Sequence, residues 1–297
     1  MGKAVIGGGA VGLLLTAYYT LMGEKVVLYT RRTEQADLLN EKGLMLICDG
    51  EQQVVPIKAA PLHKGVSEPF VILAVKQYQL EAALQELQLT TIHNLLFLQN
   101  GMGHLPFVEN LSDKVDVLLG VVEHGALKHS DHCVEHTGKG QLRISPYQSE
   151  ASVSEVFSHT PHPYFPIVVE DNWYDMLANK LAANVVINSL TSLYGVKNGE
   201  LLKRSEFHRN MRMVFEEATN VLHLKNKERT WEQIETICLN TAENTSSMLK
   251  DLLEGRRTEI DAILGWLVRQ AEDKKIKTPL LSFLNDSIKG MEQRGGQ

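Results

Sequence analysis

The chain has 297 residues and a formal net charge of -6, with 43% hydrophobic and 22% charged residues. The length suits two domains of roughly 150 residues each, the ordinary composition excludes disordered and fibrous classes, and the acidic balance argues against a nucleic-acid-binding surface. Three scattered cysteines, Cys48, Cys133 and Cys238, imply neither a disulfide framework nor a CxxC site and fit a reducing cytoplasm. No signal-peptide pattern is visible, and the longest apolar stretch, Ala10 to Met22, is too short and too polar for a membrane span. A soluble, cytoplasmic chain with no membrane partner is expected.

In chain order, Lys3 to Ile6 is predicted as a strand, Ala10 to Met22 as a helix stopped by Gly23, and Val26 to Tyr29 as a second strand. Phe70 to Val75 and Leu95 to Leu98 are continuous apolar runs, as strands covered on both faces should be, and Leu80 to Leu89 between them has helical spacing. Val115 to Val122 predicts another strand, Cys133 to Ile144 a hairpin, and Ile167 to Val169 a last strand. Strand, helix, strand at this rhythm implies a parallel sheet with helices on both sides. After about Asp171 strand runs give way to amphipathic helices. One starts at Asn172-Trp173 and runs toward Leu193. Another carries Ile260, Ile263, Leu264, Leu267, Val268 and Ala271 on one face, with Thr258 as its N-cap. The fold class expected is an α/β, Rossmann-like dinucleotide-binding domain over residues 1–170, followed by an all-α domain over 171–297.

Gly7-Gly8-Gly9-Ala10-Val11-Gly12 matches G-x-G-x-x-G where a strand ends and a helix opens, the setting that a dinucleotide-binding loop requires. Gly7 permits the tight turn, Gly9 lets a diphosphate approach the backbone, and Gly12 lets helix and strand pack closely. The helix N-terminus then offers N–H groups to the anion. After the second strand an NAD-binding chain usually places a carboxylate for the ribose diol, whereas this one reads Tyr29-Thr30-Arg31-Arg32. An acid would repel the 2′-phosphate of NADPH and an arginine can pair with it bidentately. Arg31 therefore marks NADPH as the cofactor, with Arg32 a second candidate.

In the helical half Lys180, Asn184 and Asn188 recur at i, i+4 and i+8 and share one helix face. Asparagine is a poor helix former for a solvent face, so the stripe reads either as a ligand-lining surface or as a solvated one. His124, His129, His132 and His136, with Cys133 beside them, fit no metal-ligand spacing, and no metal site is expected.

Several stretches together resemble the ketopantoate reductase (2-dehydropantoate 2-reductase) family: the Gly7–Gly12 loop, Val75-Lys76-Gln77-Tyr78-Gln79, Leu98-Gln99-Asn100-Gly101-Met102-Gly103, His124-Gly125-Ala126, Asn179-Lys180-Leu181-Ala182-Ala183-Asn184, Ile187-Asn188, Lys197-Asn198-Gly199, Ser246-Ser247-Met248 and Thr258-Glu259-Ile260-Asp261. The resemblance covers nearly the whole chain. It implies NADPH-dependent reduction of ketopantoate to pantoate in pantothenate biosynthesis, with Lys180 as the general acid and Glu259 orienting it. It further implies Asn100 between nicotinamide and substrate, and Asn184, Asn188, Asn198 and Ser247 on the substrate. Ala126, Glu259 and Lys76 are implied on the cofactor, in a protein that is a monomer or a homodimer. One departure is Ser189, where the resemblance leads one to expect proline. Reduction of a related 2-oxo acid is the alternative on the same scaffold, and a non-catalytic NADPH sensor, which would have little need of Lys180, Asn100 and Ser247 together, is the alternative from another class.

Overall fold

The computed structural model describes residues 1–148, 153 and 162–294. The chain forms two compact units, the first of Met1–Gln99 with His104–Met176, the second of Asn100–Gly103 with the chain from Leu177 on.

In the first unit β1 (Lys3–Ile6) pairs in parallel with β2 (Val26–Thr30) on one side and β6 (Phe70–Leu73) on the other. The parallel run continues through β7 (Asn94–Phe97) to β8 (Asp116–Val122). β5 (Lys58–Pro61) extends the sheet beyond β2, while β11 (Leu142–Pro146), antiparallel to β8, and then β12 (Ile167–Val169) close the other edge. β1, β6 and β7 are buried at every position, which is why they read as unbroken apolar runs rather than as alternating ones. The helices of this unit are α1 (Ala10–Leu21), α2 (Thr33–Lys42), α3 (Leu80–Gln85) and α4 (Leu105–Leu111). α1 is capped by Met22 and followed by Gly23 at φ +79°, the left-handed stop expected of it.

A second sheet, ordered β4 (Glu51–Val55), β3 (Leu44–Cys48), β10 (Cys133–Gly138) and β9 (Gly125–Ser130), was not foreseen. The expected hairpin over Cys133 to Ile144 is therefore corrected. β10 pairs back onto β9, while β11 leaves for the large sheet. One core cluster joins α1 to strands of both sheets through Leu14, Tyr18, Leu46, Val134 and Ile144. Two of the singled-out histidines serve this packing. The Gly140 N–H donates to His124 Nδ1 (3.1 Å), so His136 Nε2 donates to that same nitrogen (3.0 Å) and the Tyr18 hydroxyl donates to His136 Nδ1 (2.6 Å). Burial, with His136 adjacent, pushes His124 down to about 4, so the pair stays neutral at pH 7.

The second unit is helical. α5 (Trp173–Tyr194), whose first turn counts with the first unit, leads into α6 (Glu200–Lys203), α7 (Ser205–Leu222) and α8 (Lys227–Asn240). α9 (Ser247–Leu253), a π turn over Asp261–Gly265, α10 (Trp266–Asp273) and α11 (Pro279–Arg294) complete it. Asn172 Oδ1 accepts the Asp175 N–H (3.0 Å) and so caps α5. No helix among the described residues is long and apolar enough to cross a membrane.

Candidate active site

The glycine loop is built as the motif demands. Gly7 sits at φ +119°, and its N–H donates to the Tyr29 carbonyl (2.8 Å), tying the turn to β2. A Cβ on Gly12 would stand 1.8 Å from the Gly7 carbonyl oxygen, so α1 and β1 approach as only glycine allows. A Cβ on Gly9 would meet nothing within 4 Å. Gly9 caps α1 with no side-chain bond, so open space adjoins a helix N-terminus whose first N–H groups lack partners within the helix. Ala10 and Val11 supply the first of those groups. This cradle fits a dinucleotide diphosphate.

Gly8 is held from outside the motif. Its carbonyl accepts both Gln35 Nε2 (2.9 Å) and Lys128 Nζ (3.0 Å). Lys128 also pairs with Asp131 (2.8 Å), and Gln35 donates to the Asp131 carbonyl (3.0 Å). The Lys128 hydrogen bond, together with Arg32, holds the Asp131 carboxyl below the usual carboxylate range. Arg32 is thereby engaged in an ion pair with Asp131, while Arg31 is exposed just past β2. Lys76 is half-buried, at the start of the short turn Gln77–Gln79 beyond β6. Ala126 is half-buried in β9 against the core cluster.

The second unit holds the other expected residues. On α5 every residue from 181 to 192 is buried except Asn184 and Asn188. Lys180, half-buried, is on the same face one turn earlier. The three residues form a narrow polar stripe beside an otherwise buried stretch. Asn100 Nδ2 donates to Glu259 Oε2 (2.9 Å). The backbone beyond Asn100 explains why the pair meets: Gly101 has φ +77°, a Cβ there would stand 2.1 Å from the Ala262 carbonyl, and the Met102 N–H donates to that carbonyl (3.2 Å). Glu259 stands two residues before the π turn, a local widening found often at functional sites.

Asn198, 7% exposed, donates from Nδ2 to Thr241 Oγ1 (2.9 Å), and its Oδ1 has no partner among the described residues. Ser247 is exposed at the start of α9, which Ser246 caps by accepting the Leu249 N–H. Ser189 keeps α5 continuous where proline was expected, and its hydroxyl donates back to the Val185 carbonyl.

Sequence reading did not find Gln35, Lys128 and Asp131 around Gly8. Gln35 and Lys128 stand 27 and 120 residues from Gly8, and Asp131 stands 96 residues from Gln35, and none belongs to a short motif.

A largely parallel sheet with a glycine-loop helix after β1, followed in the chain by a helical unit, is the arrangement of a dinucleotide-dependent enzyme. The family profiles "Ketopantoate reductase PanE/ApbA" and "Ketopantoate reductase PanE/ApbA C terminal" match residues 4–149 and 172–292, and the chain belongs to the ketopantoate reductase family. It is 40% identical over 293 residues to the 2-dehydropantoate 2-reductase of Bacillus subtilis (strain 168), covering 97% of each chain. Its fold matches the crystal structure of the probable 2-dehydropantoate 2-reductase from Bacillus subtilis with a TM-score of 0.88 at 39% identity, covering 98% of this chain and 100% of that one. A dimeric ketopantoate reductase from Staphylococcus aureus matches with a TM-score of 0.81 at 26% identity over 100% of both chains.

Proposed function

We propose that the protein reduces 2-dehydropantoate (ketopantoate) to (R)-pantoate with NADPH, a step of pantothenate biosynthesis. The observation that carries this reading is the polar stripe of α5: Asn184 and Asn188 interrupt an otherwise buried stretch, one and two turns after Lys180. Family membership supplies the reaction class. Bound at the glycine loop, NADPH supplies the hydride.

The chain's own residues do the rest. As hydride reaches the C2 carbonyl of a 2-oxo acid, negative charge develops on the carbonyl oxygen. The Lys180 ammonium stabilises that charge and gives up one proton to form the hydroxyl. Glu259 accepts a hydrogen bond from Asn100 and so fixes the carboxamide, leaving its Oδ1 and second N–H for ligands. Glu259 also orients Lys180. The substrate carries a carboxylate at one end and a hydroxyl at the other. Asn198 Oδ1, buried and without a partner among the described residues, suits the hydroxyl as a donor, because an unmet buried acceptor is costly until a ligand satisfies it. Asn184, Asn188 and Ser247 serve the remaining polar atoms.

NADPH is the cofactor because Arg31 follows β2 where a carboxylate would serve NADH, with Lys76 and Ala126 as further cofactor contacts. By likeness to the Staphylococcus aureus protein the working form is a homodimer. The three cysteines are free thiols, which suits a reducing cytoplasm.

Purified protein with NADPH should oxidise the cofactor only when ketopantoate is added, and a panel of related 2-oxo acids should be poorer substrates. No ketopantoate-dependent oxidation would overturn the reading.

A further inference from the structure

We propose that Thr191 is a positioning residue for substrate: its buried hydroxyl fastens the Asn188 turn of α5 to the segment that presents Ser247. The inference rests on the reading of Asn188 and Ser247 as substrate contacts. Thr191 is fully buried and Ser246 nearly so. Their hydroxyl oxygens stand 2.7 Å apart across 55 residues of sequence.

The direction of each bond follows from its neighbours. Thr191 Oγ1 donates its single proton to the Ile187 carbonyl (2.7 Å), with the Asn188 carbonyl also in reach (3.2 Å). Its lone pairs are then left to accept, so Ser246 is the donor between the two hydroxyls. Ser246 Oγ in turn accepts the Leu249 N–H (3.3 Å), which caps α9. The result is an unbroken chain from the first turn of α9, through Ser246 and Thr191, to the carbonyls beside Asn188.

Two residues that come from opposite ends of this chain are thereby set in register. Asn188 belongs to the turn whose carbonyls Thr191 grips, and Ser247 follows the capping serine directly. Side-chain hydroxyls that donate to the i−4 carbonyl do little for a helix by themselves. Here the hydroxyl has a second bond that leaves the helix, and that bond is what a hydrophobic residue of the same shape would lose.

Thr191→Val keeps the shape and removes the hydroxyl, whereas Thr191→Ser keeps the hydroxyl. Steady-state kinetics with ketopantoate and fluorescence titration of NADPH separate the possibilities. Thr191→Val should raise KM for ketopantoate about tenfold, the equivalent of one net hydrogen bond, while kcat and NADPH affinity stay near wild type and Thr191→Ser restores KM. Ser246→Gly breaks the same chain at a capping position where glycine is tolerated. It should reproduce the KM effect and serves as the second variant if Thr191→Val folds poorly. Ser247→Ala distinguishes the two ways of failing. If Ser247→Ala raises KM but neither Thr191→Val nor Ser246→Gly does, the fastening has no functional role and the proposal is overturned. If Ser247→Ala leaves KM unchanged, the substrate-site reading on which the proposal rests is wrong.

Discussion

At the scale of single residues, the roles proposed for Arg31 and Lys180 both rest on charge. Arg31 is exposed past β2, whereas Arg32, the second candidate, is held by Asp131. Losing charge-assisted hydrogen bonds to a phosphate typically costs about 1.5–3 kcal/mol, a tenfold to hundredfold effect. Arg31→Ala should raise the dissociation constant for NADPH by that factor and leave NADH nearly unchanged. Equal losses for both cofactors in a fluorescence titration would remove Arg31 from the 2′-phosphate. Lys180→Ala should slow hydride transfer by about 10²–10⁴, the usual worth of a positioned acid, while NADPH still binds. Single-turnover measurement checks this, and an unchanged rate rules out the proton-donor role. The glycine loop was legible because it is a local pattern with one structural purpose, while Arg31 and the lysine–asparagine stripe stood out as local patterns whose roles the variants proposed for them decide. Gln35, Lys128, Asp131 and Thr191 were not legible, because their meaning lies in a partner 27 to 120 residues away.

Elements were legible where burial is uniform and obscure where it is partial. β1, β6 and β7 are buried throughout and announced themselves as apolar runs. β4 reads Glu-Gln-Gln-Val-Val with four of its five positions exposed, a sheet edge with no alternation to betray it. Its turn carried a signal that went unread. Cys48 pairs with Glu51 around Asp49-Gly50, both at positive φ (52° and 81°), the backbone that an Asp-Gly hairpin favours. The run from Leu80 to Leu89 had helical spacing, yet α3 stops at Gln85 and a 3₁₀ turn follows at Leu89–Thr91. The last predicted helix opens as a π turn rather than an α turn over Asp261–Gly265, a distinction that an apolar stripe does not encode. In α5 the stripe itself is the informative feature. Because Asn184 and Asn188 are half-buried within an otherwise buried stretch, changing either to Ala should raise KM for ketopantoate by about tenfold or more, with NADPH affinity and melting temperature little altered. Wild-type kinetics in both variants would mean that the stripe faces solvent alone.

Across the whole molecule, the two units divide the expected chemistry, with the glycine loop in one and the lysine–asparagine set in the other, and a single stretch, Asn100–Gly103, leaves the first unit's sequence to join the second. His104 is where the chain returns to the first unit, and its burial predicts that this unit loses stability in acid. It is fully buried, stacks on Phe97 at 5.9 Å, and neither ring nitrogen has a partner among the described residues. Burial pushes it down to about 4 from the ordinary histidine value of 6.5. The sign follows from which state takes the proton first. As the pH falls below 6.5 the unfolded chain protonates this ring while the folded chain refuses to, so stability held at neutral pH is lost between about 6.5 and 4. At pH 5 the unfolded ring is almost wholly protonated and the folded one almost wholly neutral, a penalty of about 2 kcal/mol. His104→Leu keeps an apolar side chain of similar size against Phe97 and abolishes the titration. Urea unfolding of both proteins at pH 7 and pH 5 isolates the effect, because every other titrating group is common to the two. The difference in unfolding free energy should move in favour of His104→Leu by about 2 kcal/mol between the two pH values, and a pH-independent difference would show that His104 does not govern the acid sensitivity of this unit.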